Sequence, residues 1–259
     1  MSYFQESLAR PITYYHKKCG QILRRTMASF DLSQLALTDT DPESFASNYP
    51  DLFDDERTTK QNFDRMQTVL IKSHFLLLKV ELELFLHLLG LECWRVALLE
   101  VRAGKARYPK KVFKNLVSPT PQELLEHNDN LEALCATAVP QHGLTKITDS
   151  MKLVDTDLLS ILNSQKNNNT VWSQVFTAFH VRHLIEHRNG YIDEEFRSIV
   201  AVTWPKSSWG DRLADLEKRK EVTIAESDLR ATAKQMNRFL EVLEDLCIQL
   251  KERRDILQK

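Results

Sequence analysis

VLIKSHFLLLKVELELFLHLLGL, residues 69–91, is the most hydrophobic stretch of the chain, and how it is read decides the fold. As a membrane span it would carry Lys72, His74, Lys79, Glu81, Glu83 and His87 into hydrocarbon, where each is costly. As a core helix it needs no such expense. The apolar pattern also extends beyond the stretch, from about Gln61 to Arg102. Leu70, Phe75, Leu78, Leu82, Phe85, Leu89 and Leu98 recur along it, mostly at three- and four-residue steps, the periodicity of one helix face. Gly90 marks either a break or a close contact. This reads as the central helix of an all-α protein. The six Gly and eight Pro of the whole chain are too few for a turn-dense β-sandwich.

Working outward, residues 3–30 read as one amphipathic helix or two, interrupted by Pro11. Residues 31–58 are acidic and contain Pro42 and Pro50, which predicts a loop or linker. The expected organisation is an N-terminal helical and acidic extension over residues 1–58 and a helical domain over 59–259. Downstream, Thr120-Pro121-Gln122-Glu123 has the cap, proline and acid of a helix start, leading to a helix that ends near Pro140. Asp149 to Leu162 reads as a shorter helix. Thr170 caps another that begins at Val171 and is stopped by Asn189-Gly190. Ile199–Trp204 and Glu221–Ile224 read as a small β-hairpin. Ser227-Asp228 opens a last long helix with Leu229, Met236, Leu240, Leu243, Leu246 and Leu250 on its buried side.

The formal net charge of −1 selects neither nucleic acid nor membrane as a partner. Locally the charge is uneven. Arg102, Lys105, Arg107, Lys110, Lys111 and Lys114 fall within thirteen residues that contain no acid. Such a run can track a phosphate backbone or be a solvated loop between helices. Cys19, Cys93, Cys135 and Cys247 form no Cys-x-x-Cys pair, so neither a zinc knuckle nor a redox dithiol is indicated; they read as small core residues. The N-terminal residues lack an apolar signal core, and a cytoplasmic protein without a membrane segment is expected.

One segment carries chemistry: Phe179-His180-Val181-Arg182-His183-Leu184-Ile185-Glu186-His187-Arg188-Asn189-Gly190. His183 and His187 have the i, i+4 spacing that can chelate zinc. His180 cannot join them on one ion, because seven residues of helix rise about 10 Å. No second ligand cluster is evident, so neither metal nor other cofactor is expected. A plain surface helix with a polar face is the bland alternative. The third reading is phosphodiester chemistry. Cleavage beside a 2′-hydroxyl needs a base, an acid for the leaving 5′-oxygen and a cation for the crowded phosphorane. A histidine, with an unperturbed pKa of roughly 6.5, can be base or acid, and an arginine binds phosphate oxygens in a permanent cationic fork.

Arg182 and His187, with four residues between them and His183 just after the arginine, resemble the Arg-x(4–6)-His motif of the HEPN superfamily. His187-Arg188-Asn189-Gly190-Tyr191-Ile192-Asp193 is similar to that family's His-x-x-Gly-x-x-Asp extension, and Glu83-Leu84-Phe85-Leu86 to its acidic-aromatic signature. The resemblance implies a HEPN-like bundle of four to five core helices, here with extra N-terminal helices, that dimerises with its motifs face to face. It implies a metal-independent endoribonuclease, in a toxin or phage-defence role and under a regulatory or antitoxin partner. Arg182, His187 and His183 would be catalytic. Lys105, Arg107, Lys110, Lys111, Lys114 and Arg188 would bind RNA, and Glu83, Gly190 and Asp193 would support the site. The alternative is a non-catalytic member: a helical dimer binding a nucleotide or a protein. On an ideal helix Arg182 and His187 stand about 140° apart, so one protomer presents both poorly to a single phosphate. Two motifs across a two-fold axis would assemble one site.

Overall fold

The structure is a computed structural model, and it describes residues 10–52, 57–106, 128–141, 143–154, 171–187, 191–194, 196–197 and 224–258. Among the described residues the protein is all-α. Its helices are α1 (Ile12–Asp39), α2 (Pro42–Asn48), α3 (Thr59–Arg102), α4 (Asn128–Ala138), α5 (Leu144–Lys152), α6 (Val171–His187) and α7 (Glu226–Leu257). A 3₁₀ turn, Pro50–Leu52, follows α2. None of these helices is long and apolar enough to cross a membrane.

The central helix is there, and Gly90 does not break it. A Cβ on Gly90 would lie 2.9 Å from the Val139 Cγ1 and 3.4 Å from the Met151 Cγ, so the glycine is a point of close approach. A reciprocal capping box starts α3: Thr58 Oγ1 accepts from the Gln61 N–H at 3.3 Å, and Gln61 Oε1 from the Thr58 N–H at 3.0 Å. The acidic region is not the loop that its prolines predict. α1 runs on to Asp39, and Pro42 occupies the first turn of α2 with Asp41 as its cap, accepting from the Ser44 N–H at 2.9 Å. Proline breaks a helix in its interior but suits its first turn, where an N–H is unpaired anyway. Likewise α5 spans Leu144–Lys152, where residues 149–162 were expected to be helical; residues 155–162 lie outside the described set. So do the helix start at Thr120 and nearly all of the hairpin residues.

The chain divides into two compact units. One comprises residues 1–20, 82–168 and 238–259, the other residues 21–81 and 169–237, so α1, α3 and α7 contribute to both. In the first unit, Trp94 donates to Ser150 Oγ at 2.8 Å, and that hydroxyl donates to Ala138 O at 2.6 Å. This pins α4 and α5 to α3. Cys19, Cys93, Cys135 and Cys247 are all buried and none forms a disulfide, as expected of core residues. The first unit also buries charge. Arg95 forks onto Glu132 with bonds of 2.9 and 2.8 Å and onto Glu92 at 2.9 Å, while Arg254 of α7 reaches Glu92 at 3.1 Å. Two cations and two carboxylates offset one another in apolar surroundings, which is what makes their burial tolerable.

In the second unit Phe30, Phe75, Leu78, Val175, Leu229 and Met236 form the core. His74 is held edge-on to Phe30, at 5.4 Å between ring centroids. Arg230 of α7 joins Asp31 of α1 at 2.7 Å.

Candidate active site

α6 owes its position to its apolar residues. Val175, Ala178, Phe179, Val181 and Leu184 are buried, and Thr177 is buried with them. They recur at three- and four-residue steps, so this face of the helix lies in the second unit's core. The motif follows on its last two turns. Arg182 is half-buried, His183 is exposed, and His187 is the last residue of the helix. The side chains of Glu186 and His187, and residues 188–190 with Arg188 and Gly190, lie outside the described set.

His180 stands apart from its neighbours chemically. Its ring meets Phe176 edge-on at 4.6 Å between centroids. Burial, and secondarily the nearby His183, lowers its pKa to about 4. Desolvation penalises the imidazolium, so this ring is neutral at physiological pH and is unsuited to deliver a proton.

In the sequence Lys79 stands out only as a charge too costly for a membrane. In the structure it is 1% exposed, with its ammonium 4.8 Å from the centre of the Phe179 ring, one turn before Arg182. A cation over an aromatic face is attracted by the ring quadrupole, all the more when desolvated. No spacing rule would have singled it out, because the contact joins α3 to α6 across a hundred residues of chain.

The other anticipated site residues are placed as follows. Glu83 is buried in the first unit, where its Oε1 accepts from the Gly143 N–H at 2.9 Å; it holds the α4–α5 connection. Asp193 caps a helical turn in the second unit, its Oδ1 accepting from the Phe196 N–H at 2.8 Å. Lys105 is exposed just past α3, next to Gly104 in a left-handed conformation. Arg107, Lys110, Lys111 and Lys114 lie outside the described residues. Arg182 and His183 are therefore brought together on one helix, while Glu83 and Lys105 belong to the other unit. Among the described residues, no three His, Cys, Asp or Glu side chains are grouped to hold a metal ion.

No family model matches the chain, and neither a curated protein nor a solved structure matches it.

Proposed function

We propose that this protein is a metal-independent endoribonuclease of the HEPN type, acting as a two-fold dimer. The observation that carries the reading is the construction of α6: an apolar face seats the helix, and Arg182, His183 and His187 follow on its last two turns. In the reaction, His187 takes the proton from a 2′-hydroxyl. The freed oxygen attacks the adjacent phosphorus, giving a 2′,3′-cyclic phosphate, and the 5′-oxygen leaves with a proton from a second histidine. Arg182 binds the non-bridging oxygens as charge builds on the phosphorane. His183 fits the second role because it is exposed where His180 is half-buried and neutral. The basic residues from Arg102 to Lys114 would guide the RNA strand, and an RNA-restricting toxin or defence effector is the biology that suits such an activity.

The half-buried setting of Arg182 favours a second reading, in which the same dimer binds a nucleotide or protein without cleaving anything. Incubating the purified protein with total RNA in EDTA separates the two. Discrete fragments ending in cyclic phosphate support the enzyme. Intact RNA, with nucleotide or protein binding retained, supports the binding module.

A further inference from the structure

Along α3, Asn62, Met66, Val69, Ser73, Leu76 and Val80 follow one another at steps of four and three residues. That is the spacing of a heptad seam, the line along which one helix packs on another. It does not face the second unit's core. Ile71, His74, Phe75, Leu78 and Lys79 are buried there and lie on other sides of the helix, while of the seam positions only Asn62 is buried. Val69 and Val80 are 58% and 45% exposed, and Leu77 on the seam's flank is 52% exposed. Ser73 does not interrupt the apolar surface. Its hydroxyl turns back onto its own helix, within 2.9 Å of Val69 O and 3.0 Å of Leu70 O. The N-terminal half of the seam floors a groove of about 460 Å³, walled by Ser33 and Leu37 of α1.

The same spacing continues along α3 through Glu83, His87, Gly90 and Trp94. Within the first unit those positions are occupied: Glu83 bonds Gly143, His87 Nδ1 donates to Pro140 O at 3.0 Å, Gly90 approaches Val139 and Met151, and Trp94 donates to Ser150. The chain covers that stretch of the seam with its own helices, α4 and α5. From Val69 to Val80 the same kind of surface is open: Val69, Ser73 and Val80 are exposed and Leu76 is half-buried.

We propose that the outward seam of α3 from Met66 to Val80 is a docking site for an amphipathic helix of a protein partner, with a carboxylate beside its apolar stripe. The apolar positions call for Leu-like residues at heptad spacing. The carboxylate is called for by Arg65, which is exposed, lines the groove and makes no ion pair among the described residues. A second copy of the chain fits less well. Pairing two such seams antiparallel would run the Arg65 and Lys72 flank of one copy along the same flank of the other, cation against cation. No residue of α6 enters the argument, so the docking site stands or falls independently of the ribonuclease reading.

The test uses the full chain and two labelled helical peptides of three heptads. Both have Leu at the seam positions, and their flank positions are Glu in one and Lys in the other. Fluorescence anisotropy is expected to show binding of the Glu peptide, weakened on the order of tenfold or more by Val69→Lys or by Leu77→Lys. Arg65→Glu is expected to reverse the preference toward the Lys peptide. All three substitutions are at exposed positions, and circular dichroism should show unchanged helicity. Failure of both peptides to bind, or binding indifferent to all three substitutions, overturns the proposal. It is also overturned if sedimentation shows self-association of the chain that Val69→Lys abolishes, since the seam would then belong to a second copy.

Discussion

At the scale of single residues, the motif contains histidines of the same type in different settings. His180 is held neutral by burial against Phe176, with its pKa lowered to about 4, while His183 one turn on is exposed. The folded state therefore resists protonating His180 as pH falls below the ordinary histidine value, whereas the unfolded chain takes the proton. Stability from this group is complete above about pH 6.5 and is lost progressively down to about pH 4. His180→Gln is expected to flatten the urea-denaturation midpoint across that range, and an unchanged pH slope would show that His180 is not the group responsible. His187 closes α6, where a substitution costs little stability. His187→Ala should abolish RNA cleavage in gel assays while leaving helicity and sedimentation unchanged; undiminished cleavage would remove it from proton transfer.

At the scale of elements, α3 is the organiser, about 66 Å long at 1.5 Å per residue over its 44 residues. Its close approach to α4 and α5 depends on Gly90 having no side chain. Alanine there would gain about 1 kcal/mol of helix propensity. Its Cβ, however, would sit 2.9 Å from a methyl of Val139, a branched and buried residue that cannot swing aside. Overpacking of this kind costs about 1–3 kcal/mol, so Gly90→Ala should be destabilising on balance, with Val139→Ala in the same chain recovering part of the loss. A stabilised Gly90→Ala chain in chemical denaturation would refute the close-contact role. The buried ion cluster works between the same elements. Arg95→Ala would leave Glu92 and Glu132 facing each other and is expected to cost about 3–5 kcal/mol. Burial already raises the Glu92 pKa, against the opposing pull of Arg95 and Arg254. A raised carboxyl pKa means that stability is present at low pH and falls as pH rises through the folded value. The Arg95→Ala penalty should therefore shrink in moderately acidic buffer, where Glu92 takes up its proton. A penalty independent of pH would assign it to lost packing instead.

At the scale of the whole molecule, the proposed activity requires two chains. Arg182 and His187 are five positions apart on one helix, and on an ideal helix that spacing is about 140° around the axis, which suits one phosphate poorly. If one protomer's arginine serves the other's histidine, mixing Arg182→Ala chains with His187→Ala chains should restore part of the cleavage that each lacks alone. In a random mixture about half the dimers are mixed, and each mixed dimer keeps one intact composite site. Full activity from a sedimenting monomer at micromolar concentration would end the composite-site idea. The proposed docking seam on α3 would add a separate level of assembly, with a partner of another kind.

The all-α class, the central helix from Gln61 to Arg102, the start of α6 at Val171 and the buried side of α7 could all be read from the sequence. Each rests on local periodicity, and burying one face of a helix is a requirement that repeats every few residues. The Arg182–His187 spacing was legible for the same reason, since it lies within one helix. Other features were settled only by tertiary structure. Gly90 proved to be a contact because Val139 and Met151, about fifty and sixty residues away, arrive beside it. The neutral state of His180, the seating of Lys79 over Phe179 and the Glu92–Arg95–Glu132–Arg254 cluster arise from desolvation and from groups distant in the chain. Sequence spacing carries the period of a helix, but not which side chains the fold brings against it or how much water they displace.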